Sequence, residues 1–264
     1  NVIRRLKRVA KFYGANPQFI LASATIGNPK ELAEKLIEEP VELIDNDGSS
    51  KGERHFIIYN PPVTDASLGL RKSAILESVR LTIDLLKHNI QSVVFTRTRR
   101  TVEILLTNLQ SLITNYESRI TSSQIRGYRS GYLPTQRREI EQGLRDGSVK
   151  TVVATTALEL GIDIGSVDLV VQIQSPKSIA RGLQRVGRSG HLVHAQSKGR
   201  IFVTHREDLL ESTVVAQAMT DYAIEHTFIP QNCLDVLAQQ IVAMVGIEEW
   251  NTEELFDVVR RSYC

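Results

Sequence analysis

The stretch KTVVATTALELGIDIGSVDLVVQI, Lys150 to Ile173, sets two short apolar runs on either side of a loop that carries two glycines. KTVVAT and VDLVVQI read as strands buried on both faces, because neither alternates polar with apolar residues. The same kind of run recurs on either side. SVVF (92–95) precedes a helical pattern with Val102, Leu105, Leu106, Leu109 and Ile113 on one face. SQIRGY precedes PTQRREIEQGLRDG, a helix opened by Pro134 and closed near Gly147. SIARGLQRV reads as a helix and GRIFVT as a strand. Short Val/Ile-rich strands alternating with helices imply an α/β fold: a parallel sheet with helices on both faces. In such sheets ligands gather where the loops leave the carboxyl ends of the strands.

The flanks are organised differently. NVIRRLKRVAKFYG reads as a basic amphipathic helix ended by Gly14, QFILA (18–22) and VELI (41–44) as short strands, and NPKELAEKLIEE as a helix begun by Asn28 and Pro29. DNDGSSKGE (45–53) is the strongest loop signal, and a domain boundary falls there. Beyond Arg206 the chain is helical, with CLDVLAQQIVAMVG and NTEELFDVVRRSY as helices, the second capped by Asn251 or Thr252. The expected units are residues 1–45, 46–206 and 207–264.

Composition bounds the function. With 264 residues, 42% hydrophobic and 23% charged, the chain has the make-up of a globular protein. No apolar run is long enough to span a membrane. Cys233 and Cys264 form no disulfide framework or metal pattern and suit a reducing cytoplasm. Net charge is +2, yet ten basic residues face five acids between Asn89 and Lys150, and eleven acids face two arginines from Glu207 on. A basic middle is compatible with phosphate binding, and equally with solvated helix faces.

Four stretches fall at strand ends. Ser23 and Thr25 of SAT can cap a helix or hydrogen-bond across an interface. In FTRTRRTVE, Thr96 and Arg97 offer a hydroxyl and a guanidinium at a helix N-terminus, where cations oppose the dipole and need a partner. In TTALELGIDIG, Thr155 and Thr156 end a strand, Gly161 permits close backbone approach, and Asp163 can accept from a sugar hydroxyl or cap a turn. In QRVGRSGH, Arg185 and Arg188 share a helix face three residues apart, with Gln184 beside them and Gly187 and Gly190 allowing close packing. Their planar forks suit phosphate oxygens. Scattered histidines at 191, 194 and 205 lack the companions of a metal shell, and the G-x-x-x-x-G-K-[ST] loop and an Asp-Glu dipeptide are both absent.

In this order the stretches resemble the C-terminal half of a superfamily 2 helicase core: SAT as motif III, VVFTRTRR as motif IV, TTALELGIDIG as motif V and QRVGRSGH as motif VI. SPKSIARGLQRVGRSGH and LDVLAQQIVAMV resemble the large helicase-related (Lhr) family, and SATIGNPKEL, YNPP and GYRSGYLP the MrfA/YprA-type repair helicases. The resemblance implies a RecA-like second domain, preceded by the end of a first RecA-like domain and followed by the start of a helical winged-helix-type domain.

The resemblance also implies roles. Arg188 is the arginine finger, Arg185 its motif partner and Gln184 the residue near the phosphates or attacking water. Gly161 and Asp163, with Arg185 and Arg188, face ATP. Thr96, Arg97, Thr155 and Thr156 hold the nucleic-acid backbone, and Ser23 and Thr25 couple hydrolysis to domain movement. His191 stands where many relatives place a third arginine. ATP with Mg is held mainly by the upstream domain, so these residues alone are expected not to hydrolyse it. The implied partner is single-stranded nucleic acid, DNA favoured over RNA. A non-catalytic nucleic-acid-binding scaffold of the same fold is the rival reading.

Overall fold

The computed structural model describes residues 2–23, 25–46, 48, 52–113, 120–159, 164–190 and 196–260. They group into two compact units that do not follow chain order: Asn1–Ala22 with Asn28–Leu43 and His226–Cys264, and Ser23–Gly27 with Ile44–Glu225.

The first unit opens with α1 (Val2–Phe12) and α2 (Pro29–Ile37). The cations of α1 act on the carbonyl end of α2. Arg4 donates to Lys35 O at 2.8 Å and pairs with Glu38, while Lys7 donates to Ile37 O and pairs with Glu39. Those carbonyls have no partner within their own helix, and positive charge complements the dipole there. Asn28 and Pro29 do begin α2, but the Asn28 side chain makes no capping bond. It accepts from Thr227 N at 2.8 Å and donates to Thr227 O at 3.2 Å.

The second unit is the α/β body. Its elements are β1 (Arg54–Tyr59), β2 (Val63–Asp65), β3 (Leu70–Arg71), α3 (Ala74–Lys87), β4 (Ser92–Phe95), α4 (Arg99–Ile113), β5 (Ile125–Tyr128), α5 (Pro134–Asp146), β6 (Thr151–Ala154), β7 (Leu169–Ile173), α6 (Ile179–Val186), β8 (Ser197–Phe202) and α7 (Arg206–Thr220). Six strands form one sheet in the order β1-β8-β7-β4-β6-β5, every pairing parallel. β2 and β3 make a separate antiparallel ribbon, which the sequence reading did not anticipate.

Alternation along the strands sorts side chains into two cores. Val94, Val153 and Val171 lie in register and pack with Val79, Ile83, Leu105 and Leu109 from α3 and α4. Their neighbours Val93, Phe95, Val152 and Val170 face the other way, against Ile140, Leu144, Leu183, Val186 and Met219 from α5, α6 and α7. At the amino ends of the strands Gln91 acts as a clasp. Its side chain donates to Leu144 O and Val149 O, and its backbone N–H to Asp168.

Two expected strands are not strands. QFILA and VELI run without ladder partners, and Ile20 and Ile44 are each 89% exposed. An apolar run becomes a strand only when a neighbour takes its backbone groups; among the described residues none does. The helices α8 (Leu234–Val245) and α9 (Thr252–Arg260) complete the first unit. Asn251 resolves the cap of α9: its side chain accepts from Glu253 N at 2.9 Å.

Leu105 is 1% exposed in the core under α4. Leu105→Ala is expected to cost about 2–5 kcal/mol, lost transfer energy plus a cavity, read as a lower denaturant midpoint at unchanged slope.

Candidate functional site

Parallel strands bring the loops after β4, β6 and β7 to one end of the sheet. Thr96 leaves β4 fully buried, its N–H on Ala154 O and its hydroxyl bonded to both backbone groups of Thr98. Thr98 in turn accepts from Thr101 N in the first turn of α4. Arg97 has the partner that a cation at a helix start requires. Its Nη2 donates to Ser175 O at 3.0 Å and lies 3.7 Å from Asp208 Oδ1. Asp208 is fully buried and also accepts from Ser175 N and Thr204 N. His205, one of the scattered histidines, caps α7 by accepting from Asp208 N.

Beyond β6, Thr155 is buried with its N–H on Tyr128 O, while Thr156 is exposed. Three residues further on, Glu159 meets the arginines of α6. Its carboxylate pairs with Arg185, Nε to Oε1 at 2.5 Å with Nη2 also in contact, and both side chains are about 95% or more buried. The Arg185 guanidinium stacks 5.2 Å from the centre of the Phe95 ring. Burial pulls its pKa down and the charge and hydrogen bonds of Glu159 pull it back up; the net direction is down. An arginine so paired remains charged. Arg188, half-buried just past the end of α6, donates through Nη2 to the backbone carbonyl of Glu159 at 2.5 Å. Gly190 follows at φ 82°, where a Cβ would lie 3.0 Å from Ser197 N, so only glycine fits this approach.

The other end of α6 is held as firmly. Ser178 caps it by accepting from Arg181 N, and the Glu225 carboxylate accepts from the N–H groups of Ile179 and Ala180. A carboxylate on a helix N-terminus is favoured by bonds and dipole together. Desolvation raises the Glu225 pKa, but the Ser178 hydroxyl and the backbone N–H groups outweigh it, leaving the group below the usual glutamate range. The backbone carbonyl of Glu225 accepts from Gly27 N, and a Cβ at Gly27 would stand 2.3 Å from Ile224 O. Along the same helix, Gln184 Nε2 donates to Thr25 Oγ1 at 2.6 Å.

The structure thus gathers Thr25, Gln184, Arg185 and Arg188 around α6, and Thr96 and Arg97 around the loop after β7. Ser23 is exposed. Gly161, Asp163 and His191 lie outside the described residues. Sequence reasoning missed three acids. Glu159 had a signal, an acid inside an otherwise apolar run upstream of two arginines in need of an anion. Asp208 read as an ordinary first-turn helix acid, and nothing marked Glu225.

Comparison with known proteins bears on the fold and the family. Residues 74–193 match the helicase conserved C-terminal domain, and residues 217–264 match the winged helix domain of large helicase-related protein. YprA of Bacillus subtilis, described as an uncharacterized ATP-dependent helicase, is 43% identical over 226 residues, 86% of this chain and 28% of YprA. The ATP-dependent helicase Lhr-Core of Methanocaldococcus jannaschii is 33% identical over 261 residues, 99% of this chain and 29% of that protein. The structure of Mycobacterium smegmatis helicase Lhr bound to ssDNA and AMP-PNP superposes with a TM-score of 0.78 at 35% identity, covering 98% of this chain and 33% of that one. The class is therefore a RecA-like helicase C-terminal fold followed by a winged-helix domain. The chain carries the helicase conserved C-terminal domain and the winged helix domain of large helicase-related protein, is similar to helicases of the Lhr and MrfA/YprA types, and spans about a third or less of the length of these relatives.

The clamp on α6 gives a pH-dependent expectation. A lowered carboxyl pKa contributes stability that is complete above the unfolded glutamate value, about pH 4.3, and fades as pH falls below it. Glu225→Ala is expected to lower the thermal midpoint at pH 7, and the gap to wild type to shrink towards pH 3 in paired melts.

Proposed function

We propose that this chain is the C-terminal half of an ATP-dependent helicase or translocase acting on single-stranded nucleic acid. The observation that carries the reading is the setting of α6. One helix holds Arg188 against the loop after β6 and, through Gln184, reaches the hydroxyl of Thr25. A site that must sense phosphate, loop and coupling segment together needs such a helix. We divide the chain at residues 45 and 206, the middle part being the second RecA-like domain.

Bound ATP supplies the phosphoryl group that passes to water, and the residues present fit that group. Arg188 offers a planar fork suited to phosphate oxygens, anchored at one nitrogen by a neutral carbonyl. In this reading Arg188 is the finger that stabilises charge on the transferring group, and Gln184 orients the attacking water. Arg185 completes the arginine pair. Gly161 and Asp163 approach the nucleotide, and Mg is held mainly by the upstream RecA-like domain. Thr25, already bonded to Gln184, passes closure to the rest of the core together with Ser23.

Thr96, Arg97, Thr155 and Thr156 line the end of the sheet along which a nucleic-acid backbone would run. The ssDNA held by the Mycobacterium smegmatis relative supports DNA over RNA. No described helix is long and apolar enough to cross a membrane, and we place the protein in the cytoplasm.

The deciding experiment is ATP hydrolysis by the full-length protein with and without single-stranded DNA. Arg188→Ala is expected to lower kcat by roughly 10³–10⁵-fold with the fold intact, the worth of an arginine finger. Hydrolysis indifferent to Arg188, or none at all, overturns the motor reading in favour of a binding scaffold. Affinity for single-stranded DNA is expected to fall linearly on a log–log plot against salt, because backbone contacts release counterions; titrations at several salt concentrations check this.

A further inference from the structure

We infer that Glu159 is a positioning residue for Arg188, and that Arg185 acts as the strut through which it works. The inference rests on the reading of Arg188 as the arginine finger. One residue touches both arginines of α6 in different ways: the Glu159 carboxylate holds the Arg185 guanidinium, and the Glu159 carbonyl receives Arg188 Nη2.

The chemistry of the two contacts differs. The Arg185 side chain is 3% exposed and that of Glu159 5%, and the guanidinium is further fixed over the Phe95 ring. The Arg185 charge is thereby answered inside the protein. Its Nη1, also buried, has no partner among the described residues. The Arg188 bond goes to the backbone carbonyl of Glu159, which holds one nitrogen of the fork. The pair therefore fixes the backbone at residue 159, and that backbone sets where the Arg188 fork stands. In the sequence Glu159 directly precedes the Leu160–Gly161–Ile162–Asp163 stretch of motif V.

A merely structural pair would lower stability and leave the action of Arg188 alone. A double-mutant cycle in the full-length protein separates the two, using Glu159→Gln, Arg188→Ala and the combination, with kcat, KM and thermal midpoint measured for each. Displacing a reacting group by about 1 Å can cost roughly 10²-fold in rate. Glu159→Gln is accordingly expected to lower kcat by about 10–100-fold with KM little changed, and to have less than about a twofold further effect once Arg188 is alanine. Additive losses, or wild-type kcat in a folded Glu159→Gln protein, overturn the inference while leaving Arg188 as the finger. Wild-type kcat in Arg188→Ala overturns the finger reading itself, and the inference with it. Removing one partner strands a buried charge, so if Glu159→Gln does not fold, the pair variant Glu159→Gln/Arg185→Gln takes its place in the same cycle, with the same outcomes deciding.

Discussion

The structure depends on the parallel pairing of β4 between β6 and β7. All three strands are buried along their length, and their paired residues Val94, Val153 and Val171 leave no polar side chain between them. Parallel strands need crossovers, so helices must cover both faces, and each strand must end at the same edge. That edge is where Thr96, Thr155 and the 174–177 turn come together. The turn bears the strain. Gln174 and Lys177 sit at φ 68° and 66°, a region costing a residue with a side chain roughly 1 kcal/mol or more. Ser175 between them is held by Asp208 through its N–H and by Glu211 through its hydroxyl, which keeps the turn in place.

Charge follows a consistent logic around that edge. Arg97 faces Asp208, Arg185 faces Glu159, and the N-terminus of α6 faces Glu225. The basic middle of the chain is not a uniform phosphate surface either, since Arg97 and Arg129 within it are answered by Asp208 and Glu103. Buried pairs of this kind add little net stability relative to apolar replacements, but breaking one is costly. Their value here lies in fixing geometry.

Much of the α/β body was legible in the sequence because buried parallel strands and amphipathic helices leave strong periodic signals. SVVF, KTVVAT and VDLVVQI hold strands, α5 starts at Pro134 and is closed by Gly147, and α6 starts after Ser178. QFILA and VELI show the limit: apolar content is local, whereas a strand is made by its neighbour. The ribbon of β2 and β3 is too short for periodicity to reveal. At the site, motif spacing singled out Arg185 and Arg188; their unequal burial and the pairing of Arg185 with Glu159 were not legible, since that contact spans 26 residues of sequence.

The Glu159–Arg185 pair also constrains how the sequence can drift. A lysine at 185 supplies one nitrogen where Nε and Nη2 are both engaged, and loses the flat surface that lies on Phe95. A neutral residue at 159 leaves a cation in a dry site. Neither position can change first without a penalty, so among descendants of this chain residues 159 and 185 should vary as a correlated pair, with Phe95 released from its aromatic identity only when the guanidinium is gone.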